Sequence, residues 1–113
     1  MEIVTTSGTT GQPLLWMLTE ADVQRLAENE RLSFDCVGLT ARDTVLVAVA
    51  MDRCFMAGLA YWLGLRERGC AVVRTGAAMP MLVLDMIDRV QPTAIVAVPS
   101  FLRLVADRAR ATG

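Results

Sequence analysis

Histidine and lysine are both absent from the 113 residues, and all eleven basic side chains are arginine. Without histidine, the commonest general base and the commonest zinc ligand are missing. Cysteine is scarce as well: Cys36, Cys54 and Cys70 are widely spaced. No two of them have metal-ligand spacing, and an odd number does not make a disulfide framework, which fits a reducing cytoplasm. Charge of one sign is missing too. Eleven basic and twelve acidic residues leave a net charge of -1, with no basic block to meet a phosphate backbone. Nucleic-acid binding is therefore disfavoured. No apolar run approaches the roughly 20 residues of a membrane span, and no basic-then-apolar leader opens the chain. Neither a membrane nor a secretory route is expected.

What is present is apolar residue, 54% of the chain, enough for the core of one small domain. Glu2 to Thr5 reads as a short strand, Thr6 to Pro13 as a polar loop, and Leu14 to Leu18 as a second strand closing a hairpin. Thr19 with Asp22 approximates a capping box and starts a helix that runs to about Cys36. Val23, Leu26, Ala27 and Phe34 form its inner side, and Gly38 stops it. Thr44 to Ala50 (TVLVAVA) reads as a strand buried on both faces. Phe55 to Arg68 follows as a helix apolar almost all round. Gly58 and Gly64 weaken that helix, so they are expected where it comes close to a neighbour. Gly69 ends it. A strand at Ala71–Arg74, a helix at Met81–Val90, a strand at Thr93–Val98 and a helix to about Arg110 complete the pattern. Ser100 is a candidate cap for the last helix. Trp16 and Trp62 read as packing residues. The whole is an α/β chain: a hairpin, then alternating units that build a mainly parallel sheet flanked by helices with right-handed crossovers. Residues 1–113 read as one subdomain. Its open sheet ends suggest a piece of a larger domain or a partner in a homodimer.

The loop Thr5–Pro13, TTSGTTGQP, carries the chemical signal. Gly8 and Gly11 permit positive φ and leave room for a ligand against the backbone. The hydroxyls of Thr5, Thr6, Ser7, Thr9 and Thr10 can turn towards phosphate oxygens, and consecutive amides can form an anion nest. Pro13 holds Gln12 extended, so the loop leaves into a strand. That excludes a Walker loop and a dinucleotide fingerprint, which both open a helix. On composition alone a plain polar hairpin loop is as good a reading.

The string Ser7-Gly8-Thr9-Thr10-Gly11-Gln12-Pro13 resembles the phosphate loop of adenylate-forming enzymes: acyl- and aryl-CoA ligases, luciferases and peptide-synthetase adenylation domains. Asp43, the run Phe55, Gly58, Leu59, Gly64 and Gly69, and Gln91-Pro92-Thr93 through Pro99-Ser100-Phe101-Leu102 are similar to the phenylacetate-CoA ligase branch. The resemblance covers nearly the whole chain and implies the large N-terminal domain of such an enzyme. It implies ATP, Mg2+ and coenzyme A as cosubstrates and cofactor, and a small aryl or short acyl acid as substrate. Thr6 to Gln12 would bind the ATP phosphates. The acid pocket would lie partly along Met51–Gly58, making Asp52, Arg53, Phe55, Met56 and Ser100 candidates. Each has a plainer reading: core packing for Phe55 and Met56, an ion pair for Asp52 with Arg53, an N-cap for Ser100. The cysteines read as apolar fillers, and no side chain of this chain is expected to be catalytic or to bind a metal. Gln12 departs from the family's usual lysine. The family's Tyr-Gly-x-Thr-Glu-like segment, ribose-binding aspartate and C-terminal lysine do not occur, so the chain alone is expected to be inactive. A non-catalytic module derived from the family, or a ligase with another acceptor, stays open.

Overall fold

The computed structural model describes residues 1–5, 15–51 and 56–112. Strands β1 (Glu2–Thr5) and β2 (Leu15–Leu18) pair antiparallel, with Thr5 opposite Leu15 and Glu2 opposite Leu18. Helix α1 (Glu20–Cys36) begins with a true capping box: the Thr19 hydroxyl accepts from the Asp22 amide, and the Asp22 carboxylate accepts from the Thr19 amide. Two otherwise orphan helix-end donors are thereby met. Strand β3 (Thr44–Ala48), helix α2 (Met56–Arg68), strand β4 (Ala71–Arg74), helix α3 (Pro80–Val90), strand β5 (Ala94–Ala97) and helix α4 (Pro99–Thr112) follow.

The second sheet is parallel, in the order β4-β3-β5. Val45, Leu46, Val47 and Ala48 of the central strand are all completely buried. Alternation along β3 sends them to two cores. Val45, Val47 and Val49 pack with Leu65, Cys70, Phe34 and Tyr61 on the side of α1 and α2. Leu46 and Ala48 pack with Val83, Phe101 and Val105 on the side of α3 and α4. This is why the sequence shows an unbroken apolar run there instead of a period-two pattern.

Helices α1 and α2 press together through Gly64. A methyl group at Gly64 would run into Glu30 Cβ and stand 3.0 Å from the Arg31 amide nitrogen. Asp35 adds a polar tie, accepting from Arg31 of its own helix at 2.8 Å and from Arg68 of α2 at 2.6 Å. Both helices end on a glycine at positive φ, Gly38 and Gly69. Leu39 and Cys70 then donate back to Phe34 and Leu65, the Schellman pattern that meets the last carbonyls.

Some expectations change. Strand β3 ends at Ala48, two residues early. On α1 only Ala27 is fully buried, because one half-exposed layer is all that α2 covers. Ser100 does not cap α4. The amides of Phe101 and Leu102 both donate to the Val98 carbonyl, so Pro99 takes the first helical position and Ser100 lies inside the first turn. Trp16 is 55% exposed on the hairpin and is no core residue. Cys70 is buried, but Cys36 is exposed, and Cys54 lies outside the described residues. No helix among the described residues is long and apolar enough to cross a membrane.

At the amino ends of the strands, Asp43 stitches β3 to β5. Its carboxylate accepts from the Thr40 amide at 2.7 Å and from the Thr93 hydroxyl at 2.9 Å. Thr93 in turn accepts from the Thr44 amide at 3.1 Å. The Thr40 amide, then the Thr93 hydroxyl, hold the Asp43 carboxyl below its ordinary value of 3.8. A depressed carboxyl stabilises the fold above that ordinary value, and the contribution is lost as pH falls through the lower, native value. Asp43→Asn should therefore be less stable than the parent at pH 7. The gap should narrow on acidification below about pH 4. Denaturant midpoints at pH 7 and pH 2.5 check this; a gap independent of pH would sink it.

Candidate functional site

In an open parallel sheet, a ligand crevice forms beyond the carboxyl ends of the strands, where neighbouring connections leave on opposite faces. Here that place lies between β3 and β5. The connection from β3 to β4 runs through α2 on one face, and that from β4 to β5 through α3 on the other. The chain segments at this point are Val49–Met51, the start of α2 at Met56, and Val98–Ser100.

Helices α2, α3 and α4 each begin just after a strand, so their amino ends lie along this edge of the sheet. None carries an acidic residue in its first turn, whereas α1, which does not follow the parallel sheet, carries Glu20 and Asp22 there. Helix amino ends bear partial positive charge. Along this edge it is not neutralised from within the first turns, which favours an anionic ligand.

Gly58 holds the junction tight. A methyl there would overlap the Ala50 carbonyl oxygen and lie 3.0 Å from the Ala50 carbonyl carbon and 3.1 Å from the Met51 sulfur. The first turn of α2 is thus pressed onto the segment that leaves β3. Glycine at this place is a requirement of backbone contact, as the sequence suggested.

The hairpin comes to the same junction. Val4, Thr5, Trp16 and Leu18 line a cavity of ≈ 280 Å³ with Met56. Thr5 and Leu15, the paired ends of the polar loop, therefore stand beside the start of α2. Met56 is 42% exposed, so its plainer reading as core packing does not hold; it faces this cavity instead. Ser100 is exposed in the first turn of α4, at the carboxyl end of β5. Thr6, Ser7, Gly8, Thr9, Thr10, Gly11 and Gln12, and likewise Asp52, Arg53 and Phe55, lie outside the described residues.

A larger cavity of ≈ 540 Å³ opens on the other flank of β3, lined by Ala50, Met51, Arg74, Thr75, Gly76, Ala77 and Ala78. Arg74 was not singled out from the sequence. The available signal was a lone arginine closing a β-strand, at the end where parallel sheets bind ligands. Its guanidinium stacks 4.9 Å from the Trp62 ring centre, and Arg66 stacks on the same ring at the same distance. Among the described residues no set of three His, Cys, Asp or Glu side chains could hold a metal ion.

A parallel sheet in the order β4-β3-β5, with helices on both faces, defines a doubly wound α/β class of fold. Residues 2–113 match the family model described as AMP-binding enzyme, and the chain belongs to that family. Solved structures agree on the fold. A 2-hydroxyisobutyryl-CoA ligase in complex with 2-HIB-AMP and CoA superposes with a TM-score of 0.90 at 24% identity, over 98% of this chain and 24% of the other. The o-succinylbenzoate coenzyme A synthetase from Bacillus subtilis, in complex with AMP, gives 0.71 at 26% identity, over 94% and 21%. A fatty acid AMP ligase from Legionella pneumophila gives 0.64 at 16% identity, over 82% and 16%. The chain spans about a quarter or less of the length of these proteins. No curated protein matches it.

Proposed function

We propose that this chain supplies the ATP phosphate loop and part of the acid pocket of an AMP-forming acid–CoA ligase. The observation that carries the reading is the placement of the hairpin. The family match covers residues 2–113, and Thr5, paired with Leu15, lines a cavity with Met56 at the start of α2. An acid bound there has its carboxylate beside the triphosphate.

The reaction needs no protein nucleophile. A carboxylate oxygen attacks the α-phosphorus, the α–β bridge breaks, and pyrophosphate leaves. The thiolate of coenzyme A then attacks the acyl carbonyl, and AMP leaves. Positioning and charge stabilisation do the work, and a chain without histidine can supply both. Amides and hydroxyls of Thr6 to Gly11 hold the β- and γ-phosphates; the unneutralised helix ends favour the same charge. Magnesium would travel with the nucleotide, since such ions are bound largely through phosphates and water. Met56 and Ser100, with Asp52 and Phe55, border the acid. The phenylacetate-like resemblance and the acyl-CoA ligases among the neighbours support an aryl or short acyl acid and coenzyme A as acceptor.

Exchange of labelled pyrophosphate into ATP by the complete protein, across aryl and short-chain acids, tests the reading. Exchange dependent on one acid is expected. A folded protein that exchanges with none would favour a non-catalytic module, the reading that Gln12 supports. Gln12→Lys restores the family's point charge. It should lower the KM for ATP in that assay by roughly two- to fivefold, the range of a solvent-exposed charge pair. An unchanged KM would show that position 12 does not meet the triphosphate.

A further inference from the structure

The cavity of ≈ 540 Å³ lies at the carboxyl ends of β3 and β4, the end of a parallel sheet where ligands bind. Its size is that of a small-molecule pocket, roughly 300–1,000 Å³. The charged and hydroxyl groups at its rim are engaged within the chain. Arg74 is stacked on Trp62 of α2, and the Thr75 hydroxyl donates to the Gly76 carbonyl at 3.1 Å. The rest of the wall is Ala50, Met51, Gly76, Ala77 and Ala78. Only Met51 among these has a long side chain, and a thioether packs well against an aromatic ring. A methyl placed on Gly76 would meet no atom within 4 Å, so open space lies beside it. Such a wall recognises an uncharged, apolar body by its bulk.

We infer that this cavity receives the body of the acid, and that Gly76, Ala77 and Ala78 admit acids of fused-ring bulk. This rests on the acid–CoA ligase reading above, which sets the reacting carboxylate beside Met56 at the start of α2. The Ala50 carbonyl lies against Gly58 in the first turn of that helix. Ala50 and Met51 thus belong both to the junction and to the cavity wall, and the body of the acid leaves its reacting end past them. An enclosed apolar cavity of about 150 Å³ takes a single benzene ring. The cavity here offers several times that volume, so one ring leaves much of it unfilled. A second, fused ring removes more of the apolar wall from water.

The test is pyrophosphate exchange by the complete protein with propionate, phenylacetate and 2-naphthylacetate. In wild type kcat/KM should rise in that order, by roughly tenfold or more from first to last. Ala78→Phe adds bulk at an exposed position of the wall, and Ala77→Leu adds it beside the core under α3 and α4. Each should lower the ratio of 2-naphthylacetate to propionate by roughly tenfold. The ratio compares two acids on one preparation, so partial unfolding does not move it. A wild type that prefers propionate, or a ratio that neither variant moves, overturns the inference. If no acid supports exchange, the ligase reading fails, and calorimetric titration of the folded protein with 2-naphthylacetate decides the cavity alone. Binding that Ala78→Phe weakens would uphold it; no binding to wild type, or binding that the variant leaves unchanged, would overturn it.

Discussion

Gly58→Val should be among the most damaging single substitutions in the chain, lowering stability by about 3 kcal/mol or more. Valine normally gains over glycine in a helix by a few tenths of a kcal/mol. Here that gain is overwhelmed. The new Cβ alone overlaps the Ala50 carbonyl oxygen, which belongs to the backbone and cannot rotate aside as a side chain would. Either the end of β3 or the first turn of α2 must move. Both border the crevice, so the damage should reach function as well. Gly58→Ala tests the lesser case and should still destabilise the protein despite alanine's higher helix propensity. Urea midpoints of the two variants against the parent measure it. A Gly58→Ala variant as stable as the parent would mean that the junction is not closely packed.

Leu46→Ala should cost about 2–5 kcal/mol. Leu46 is completely buried in the central strand and lies among Val83, Phe101 and Val105, which α3 and α4 hold in place. Neighbours carried by two separate helices cannot collapse far into the space, so a cavity persists. Ile95, 39% exposed on β5, is the comparison: Ile95→Ala should cost much less, because its side chain is already partly in water. Equal losses at the two positions in denaturant titrations would contradict the two-core description.

Much of this was legible in the chain itself. The run TVLVAVA announced a strand covered on both faces because both alternating sets are apolar, and Val45, Val47 and Leu46 do go to opposite cores. Thr19 with Asp22 gave the start of α1, and Gly38 and Gly69 gave two helix ends, because capping is chemistry between residues a few positions apart. Gly58 and Gly64 were legible as close approaches from their cost to the helix alone. What they approached was not, since Ala50 and Glu30 are brought there only by packing.

The misreadings have the same origin. Ser100 is the right residue type for a cap, but Pro99 can itself begin a helix, and the cap moves to Val98. Trp16 is large and apolar, yet opposite Val4 it only borders the cavity with Met56 and stays 55% exposed. Arg74 is one of eleven arginines in the sequence, and only packing brings it onto Trp62 and to the edge of a cavity. Local chemistry, written within a few residues, thus determined the elements and the ends of α1 and α2. The order β4-β3-β5, the meeting of hairpin and α2, and the stacking of Arg74 on Trp62 were decided in three dimensions. They join residues tens of positions apart, and only the burial of both faces of β3 brings those residues together.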